Sequence, residues 1–220
     1  AFYDHNATTG LGDVTIEGFK AYVSQLLNHK NQYSGTVLKN DPTILAWETG
    51  NELFIKGEPF TNWTAEISAF IKTELNAKQL IMDGRNEVQA GVDMEALRDE
   101  PYVDIYTDHY YEQVSSALTT LQKDAEKTAV DFNKVFVVGE YGARGDSVDD
   151  LTKFVTTIET LTAADPGTGR QIPLVAGDTW WSLFGHGDNF GFVNHSDSFT
   201  LHFPADNDAD MQRIMLLRSH

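Results

Sequence analysis

The 220-residue chain contains no cysteine, which excludes a disulfide framework, thiolate metal sites and thiol catalysis. It also has no uninterrupted apolar run near the roughly 18 residues that predict a membrane-spanning helix. Basic residues are few, 16 against 33 acidic ones, and the formal charge is −17. Such a surface repels phosphate backbones and anionic headgroups, so we expect no nucleic acid and no membrane as partner. A neutral substrate such as a polysaccharide is indifferent to this charge.

What the chain does have is a regular alternation of short apolar runs and amphipathic stretches. Apolar residues make up 41% of it, enough for a substantial core, and we predict a single domain over residues 1–220. The predicted strands are Thr43–Trp47, Gln79–Met82, Val103–Tyr106, Val135–Val138 and Pro173–Asp178. The predicted helices are Thr15–Asn28, Thr61–Asn76, Ser115–Ala129, Ser147–Ala164 and Ala209–Leu217. Strands that alternate with helices predict parallel βαβ units.

Two α/β folds are compatible with this order. One is the (β/α)8 TIM barrel, and the other is a doubly wound αβ domain with five parallel strands. The doubly wound fold suits the strand count, but no Gly-rich phosphate loop follows any of the predicted strands. The first strand is a continuous apolar run ending at Trp47, which is typical of a strand buried on both faces of a parallel sheet.

Four of the five predicted strands end in side chains that can carry chemistry. These groups are Asn51-Glu52, His109 with Tyr111, Glu140, and Trp180-Trp181. Either Glu by itself is commonly a solvated residue, the histidine a structural one, and each tryptophan a core residue. Parallel strands would bring all four groups to one edge of the sheet, the edge where barrel enzymes gather their catalytic residues. Their convergence therefore predicts a site.

Two facing carboxyl groups are what cleavage of a glycosidic bond requires. One protonates the leaving oxygen, and the other, ionised, attacks the anomeric carbon or activates water. Tryptophan offers a flat apolar face to a pyranose ring. A cluster of possible metal ligands (Asp104, Asp108, His109 and Glu112) lacks H-E-x-x-H or comparable spacing. Nucleotide loops and the G-x-S-x-G elbow are also missing from the sequence, so we predict no metal and no cofactor.

Four segments resemble glycoside hydrolase family 5 of clan A, particularly its endo-β-1,4-mannanase-like members. The segment from Asp41 to Leu53, D-P-T-I-L-A-W-E-T-G-N-E-L, resembles the fourth-strand motif. H-x-Y at 109–111, V-F-V-V-G-E-Y-G at 135–142 and D-T-W-W-S-L-F-G-H at 178–186 resemble the sixth, seventh and eighth strands. The resemblance is specific for the family and weaker for mannan.

The resemblance implies a role for each matching residue. Glu52 would be the general acid/base and Glu140 the nucleophile of a double displacement with retention, which places the carboxyl groups about 5–5.5 Å apart. The substrate-binding residues would be Asn51 at the sugar 2-hydroxyl, Tyr111 hydrogen-bonded to Glu140, His109 near the acid/base, Trp181 beneath the sugar, and Trp180 as second choice for that place.

The resemblance also assigns the five predicted strands to positions four through eight of the barrel. Strands one to three, with the Arg usual on the second, have no counterpart in the sequence. Five strands cannot close an eight-stranded barrel, which typically needs about 250 residues. We therefore expect a partial barrel that corresponds to the C-terminal two-thirds of the family's catalytic domain.

We predict a retaining, endo-acting β-glycoside hydrolase of a plant or fungal cell-wall polysaccharide, foremost a mannan endo-1,4-β-mannosidase. The alternatives are a β-glucan-active hydrolase of the same clan and a non-catalytic carbohydrate-binding barrel relic. The expected partner is the polysaccharide, and we expect a monomer. An extracellular location follows from the kind of substrate, with slight support from glycosylation sequons at Asn6, Asn62 and Asn194.

Overall fold

The structure is a computed structural model that describes residues 11–53, 58–86, 97–142, 147–185, 199–205 and 207–220. For residues 11–14 and 58–60 it describes the backbone alone. By its internal contacts the chain divides into two compact units, Ala1–Thr107 and Asp108–His220. The single domain over residues 1–220 stays a prediction. The sequons at Asn6 and Asn194 lie outside the described residues.

The first unit alternates helices with parallel strands. Its elements are α1 (Leu11–Leu27), a 3-10 turn (Leu38–Asn40), β1 (Ala46–Glu48), α2 (Glu58–Ala69), β2 (Leu80–Met82) and the first half of β3 (Ile105–Tyr110). Strand β1 pairs in parallel with β2, with Ala46 opposite Leu80. Strand β2 pairs in parallel with β3, with Met82 opposite Ile105. These strands therefore end on the same edge of the sheet.

The second unit begins with the second half of β3. Its further elements are α3 (Val114–Glu126), β4 (Val135–Tyr141), α4 (Val148–Thr160), β5 (Thr162–Ala164), β6 (Gln171–Pro173), β7 (Asp178–Trp180), β8 (Leu183–Gly185), β9 (Leu201–Phe203) and α5 (Asp208–Ser219). Strand β4 pairs in parallel with β7, with Val138 opposite Asp178. Two small sheets complete the unit: β5 and β6 are antiparallel, and β8 and β9 are parallel.

The main sheet has the strand order β1-β2-β3-β4-β7, and β3 is common to both units. This order follows the chain without a reversal. A doubly wound sheet reverses its strand order at a switch point, whereas a barrel adds each new strand beside the last. The doubly wound alternative is therefore wrong, and the order is that of a barrel. Among the described residues, no helix is long and apolar enough to cross a bilayer.

The same connection leads from helix to strand twice. Helices α2 and α3 each continue into a π-helical turn, Phe70–Glu74 and Lys127–Asp131. Two residues beyond each turn stands an asparagine in the left-handed region, Asn76 with φ 56° and Asn133 with φ 52°. Asparagine tolerates this conformation better than most residues do. The widened turn and the asparagine together end the helix and redirect the chain into the next strand.

Each unit has its own apolar core. In the first unit, the buried residues include Ile16, Val23, Leu27, Trp63, Ile67, Ile71, Ile81, Val103 and Ile105. In the second, they include Ala117, Leu121, Phe136, Val138, Leu151, Phe154, Ile158, Leu174 and Leu201. The buried helical residues are spaced three, four or seven positions apart along α1, α2, α3 and α4, because one face of each helix is covered.

Several predicted boundaries are wrong in an informative way. Strands β3 and β4 continue to Tyr110 and Tyr141, so their polar ends are part of the sheet rather than of the following loops. The fifth strand of the main sheet is Asp178–Trp180 and not Pro173–Asp178. The segment Thr162–Ala164 is a strand of a hairpin and not the end of a helix. Apolar content marks where a strand begins, but backbone pairing extends it into polar residues.

Strand β1 is also more exposed than predicted. We expected burial on both faces, yet Leu45 just before the strand is 72% exposed, and Ala46 and Trp47 are only half-buried. The physical reason is its place in the sheet, since β1 is an edge strand of the described order. An apolar run therefore indicated a strand correctly but not its burial.

Candidate active site

In the first unit, Glu52 lies in the turn that follows β1. Its φ of 48° is in the left-handed region, which is sparsely populated for residues other than glycine and costs about 1–3 kcal/mol. The backbone N–H of Leu53 donates to the carbonyl of Gly84 over 3.4 Å. The backbone conformation of Glu52 is thus held by the segment that follows β2.

Close approach of two glycines makes that arrangement possible. Gly84 has a φ of 69°, and a β-carbon built on it would lie 1.8 Å from the carbonyl oxygen of Gly50. No residue with a side chain could occupy this position without displacing the turn. The Asp83–Asn86 segment therefore packs directly against the turn that presents Glu52.

The carboxylate of Glu52 is also held by a side chain. Nδ2 of Asn86 donates to Oε1 of Glu52 over 2.9 Å, and Asn86 is only 1% exposed. Glu52 is half-buried, and its neighbour Asn51 is exposed. A donor aimed at a carboxylate oxygen fixes the direction in which the group points.

Behind Asn86 lies a fully buried ion pair. Nε of Arg85 is 3.3 Å from Oδ2 of Asp83, and both side chains are 0% exposed. Arg85 also donates to the carbonyl of Thr107 over 3.1 Å, and Asp83 accepts from the Thr107 N–H over 3.0 Å. Burial raises the pKa of Asp83 to about 6, against the opposing charge of Arg85. These contacts tie the Asp83–Asn86 segment to β3.

These residues were missed at the sequence level. Asp83-Gly84 predicts only a turn at the end of β2, although D-G-R-N at residues 83–86 follows an apolar strand as N-E does at 51–52. The signal was present, since a polar residue in this place on a parallel strand faces the same edge as the predicted site. The Asp83-Gly84 pair indicates a turn, because a glycine after aspartate is a common turn signal, and it does not indicate a functional side chain at Asn86.

In the second unit, Glu140 lies inside β4, and two side chains contact the same oxygen of its carboxylate. The hydroxyl of Tyr111 donates to Oε2 of Glu140, and Nδ1 of His109 lies 3.4 Å from the same oxygen. The Glu140 side chain is 17% exposed and that of His109 is 2% exposed. The Tyr111–Glu140 hydrogen bond implied by the resemblance is confirmed. The predicted place of His109 near the acid/base stays a prediction, and the described geometry sets it beside Glu140.

Aromatic packing holds the donor in place. The ring of Tyr111 lies 4.7 Å from that of Phe199 and stands edge-on to the His109 ring at 6.5 Å. The hydroxyl is therefore presented to Glu140 by a ring with little freedom to rotate away. A donor held in this way fixes the direction of the carboxylate that accepts from it.

The tandem tryptophans take different positions. The Trp180 ring meets Tyr141 edge-on at 5.3 Å, and its buried indole N–H has no hydrogen-bond acceptor among the described residues. Trp181 is 37% exposed, and its backbone N–H donates to the carbonyl of Tyr141. Stacking on a sugar requires an accessible ring face. The arrangement favours Trp181, our first choice, and the binding roles of both residues stay predictions.

Solved structures share this fold. The endo-β-1,4-mannanase from Thermotoga petrophila superimposes with a TM-score of 0.75 at 24% identity, covering 99% of this chain and 50% of that chain. A glycoside hydrolase family 5 mannosidase from Rhizomucor miehei superimposes with a TM-score of 0.68 at 18% identity, covering 100% of this chain and 62% of that one. Together with the strand order, these neighbours define the class: the chain is a partial (β/α)8 barrel.

The sequence comparison is more specific. The profile of the glycoside hydrolase family 5 β-mannosidase-like proteins matches residues 2–146, and the chain belongs to that family. Mannan endo-1,4-β-mannosidase 5 of Arabidopsis thaliana is 28% identical over 142 residues, 62% of this chain and 30% of that protein. Mannan endo-1,4-β-mannosidase 3 of Oryza sativa subsp. japonica is 25% identical over 217 residues, 81% of this chain and 46% of that protein. The chain thus spans less than half the length of either relative.

Proposed function

We propose that this protein is a retaining β-glycoside hydrolase that cleaves β-1,4-mannan within the chain. The carboxylate of Glu140, held by Tyr111 inside β4, is the observation that carries the mechanism. Support for the substrate comes from family membership and from relatives named as mannan endo-1,4-β-mannosidases. The polysaccharide is neutral, so the formal charge of −17 does not oppose its binding.

In the first step, Glu140 is the nucleophile and Glu52 the acid. The Glu140 carboxylate attacks the anomeric carbon while the Glu52 carboxyl group gives its proton to the glycosidic oxygen. The bond between the sugar and the leaving chain breaks, and a glycosyl ester forms on Glu140. The hydrogen bond from Tyr111 keeps the nucleophile aimed along the line of attack.

In the second step, Glu52 takes a proton from water, and that water attacks the anomeric carbon. The ester to Glu140 breaks, the sugar leaves with its original configuration, and both carboxyl groups return to their starting states. Retention requires the two carboxyl groups to stand about 5–5.5 Å apart. Asn51 would bind the sugar 2-hydroxyl, His109 would line the site, and the accessible face of Trp181 would carry the sugar, with Trp180 as its second choice.

Trapping the intermediate tests the nucleophile. A 2-deoxy-2-fluoro β-mannosyl or mannobiosyl fluoride should leave a sugar ester on the peptide that contains Glu140, seen by mass spectrometry. Glu140→Gln should abolish both the label and mannan hydrolysis with folding intact. Glu126→Gln, the same change on an exposed residue of α3, is the matched control and should keep both. A label on another residue, or near-normal hydrolysis by Glu140→Gln, would refute the assignment.

The substrate and the non-catalytic alternative are tested together. Reducing ends should appear with linear β-1,4-mannan faster than with β-1,4-glucan, and NMR of the first product should show the β-anomer. A preference for glucan would favour the β-glucan-active alternative. Oligosaccharide binding without any release of reducing ends would favour the carbohydrate-binding relic.

We also propose that residues 1–220 act within one secreted, monomeric catalytic domain, which size-exclusion chromatography and localisation of the protein can test.

A further inference from the structure

The end of β2 adds a residue to the chemistry that neither the strand-end motifs nor the family resemblance includes. Asn86 reaches Oε1 of Glu52 through its side-chain NH2 group over 2.9 Å. Asn86 is 1% exposed, so water does not compete for this contact as it would at the surface. A buried hydrogen bond between two side chains 34 positions apart in the sequence also fixes the two turns relative to each other.

The backbone that carries Asn86 is unusually constrained. Gly84 lies against the carbonyl of Gly50, and Arg85 is enclosed between Asp83 and the carbonyl of Thr107. The guanidinium of Arg85 also sits 5.7 Å from the centre of the Tyr106 ring. The residues that precede Asn86 are therefore anchored, and its amide has little freedom to follow a moving carboxylate. Rigid support of this kind is what sets the geometry of a reacting group.

We propose that Asn86 is a positioning residue for Glu52 and that it assigns the transferable proton to Oε2. This inference rests on the proposed role of Glu52 as acid/base. An NH2 group can only donate, so the oxygen it contacts must accept in both states of Glu52. Oε1 is the accepting oxygen in the neutral acid and in the carboxylate alike, and the proton resides on the other oxygen. The same contact thus serves the acid step and the base step without rearrangement.

The dependence on the leaving group tests this proposal in a way that a purely structural role would not reproduce. Asn86→Ala and the wild type are compared on aryl β-mannobiosides with a poor leaving group, phenol, and a good one, 2,4-dinitrophenol. A good leaving group needs no proton from the acid. We expect kcat/KM to fall about 10- to 100-fold for the phenyl substrate and less than about threefold for the dinitrophenyl substrate. Equal losses on both substrates would overturn the proposal.

Gln79→Ala is the matched control. It removes another buried amide from the same unit, one that bonds to Leu38, Asp41 and Trp47 at the opposite end of β2. We expect it to lower stability while leaving the ratio of the two rates unchanged. Asn86→Asp is a second variant that preserves volume but puts a carboxylate where the donor was, and it should behave like Asn86→Ala. Wild-type rate ratios in Asn86→Asp would contradict the donor role.

Glu52→Ala in the same series separates this inference from the proposed function. If Glu52→Ala loses activity evenly on both substrates, the acid/base assignment fails. If Glu52→Ala loses much more activity on the phenyl substrate than on the dinitrophenyl substrate while Asn86→Ala does not, only the positioning role of Asn86 fails. NMR gives a readout that needs no turnover: the side-chain amide signals of Asn86 should shift with pH in the wild type. They should still shift in Asp83→Asn, which removes the other titrating carboxyl group of this segment, and stop shifting when Glu52→Gln is added to that variant. Signals that do not move in the wild type would overturn the contact itself.

Discussion

The phenol of Tyr111 donates to Oε2 of Glu140, the oxygen that also faces Nδ1 of His109 at 3.4 Å. Tyr111→Phe removes that donor but keeps the ring that packs on Phe199. A hydrogen bond to a charged group contributes about 1.5–3 kcal/mol, so we expect kcat/KM on mannan to fall about 10- to 100-fold at unchanged circular dichroism.

Tyr33→Phe is the control for that measurement. It makes the same chemical change on a side chain that is 91% exposed, and activity should stay at the wild-type level. Near-normal kcat/KM in Tyr111→Phe would mean that the hydroxyl does not act on Glu140, the proposed nucleophile.

We expect substitution by alanine to cost more stability at Gly84 than at Gly169, although both glycines have left-handed φ angles. Gly84 and Gly169 have nearly equal φ values, 69° and 70°, but a β-carbon on Gly84 would lie 1.8 Å from the Gly50 carbonyl oxygen and one on Gly169 would meet nothing. Gly169→Ala should lose only the conformational strain, about 1 kcal/mol in the free energy of unfolding by urea. Gly84→Ala should lose about 3 kcal/mol or more, because the turn bearing Glu52 must shift. Equal losses would show that the close approach is not a constraint.

Much of the fold was predictable because it rests on local patterns. Apolar runs around Ile81 and Val138 marked strands, and spacing of three or four marked helix faces. Pairing partners were harder to foresee, since the β5–β6 and β8–β9 sheets join short segments of only three residues each. Such segments carry too little hydrophobic pattern to indicate a partner.

The sequence predicted the candidate catalytic residues of the site but not the residues that position them. Glu52 and Glu140 follow or end apolar strands, and Tyr111 could be paired with Glu140 by resemblance. The role of Asn86 depends on a contact across 34 residues, which no local pattern encodes. Supporting residues of this kind become visible only when the backbone brings two turns together.

His220 predicts a stabilisation that weakens as pH rises. Its imidazole lies 2.8 Å from Oε1 of Glu159 and 2.9 Å from Oδ1 of Asp178. Burial by itself would lower the pKa of His220, but hydrogen bonds to Glu159 and Asp178 outweigh it and raise the pKa above 6.5. The protonated bridge therefore stabilises the fold fully below about pH 6.5 and is lost as pH rises through the folded-state pKa.

Urea unfolding of the wild type and His220→Ala at two pH values measures this effect. The difference should be about 1 kcal/mol or less at pH 5.5, because Glu159 is half-exposed and the pair is screened by solvent, and smaller at pH 8.5. Glu159→Gln, which removes one of the two negative charges beside the imidazole, should show part of the same loss and the same direction with pH. A difference that grows with pH would contradict the bridge.

We expect Asp83 to make the protein less stable as pH rises, whereas a carboxyl group whose pKa is lowered by folding makes it more stable. Burial raises its pKa from 3.8 to about 6 in the folded state, with Arg85 opposing the rise. The folded protein therefore holds a proton that the unfolded chain has released between these pH values, so stability falls as pH rises from about 4 to about 6. The shift corresponds to about 3 kcal/mol. Asp83→Asn cannot titrate, so wild-type stability measured relative to this variant should decline by an amount of that order.

Asp41→Asn is the control for this titration. Hydrogen bonds from Thr43 lower the pKa of Asp41 below 3.8, so its contribution is present above that pH and lost only as pH falls further. The difference between the wild type and Asp41→Asn should therefore stay flat from pH 4 to 7, where that for Asp83→Asn changes. NMR of the Asp83 carboxyl carbon in the folded wild type gives an independent readout and should show a midpoint near pH 6. A midpoint near 4 would mean that the ion pair with Arg85 outweighs burial, and the segment that supports Asn86 would then be held by a permanently charged pair.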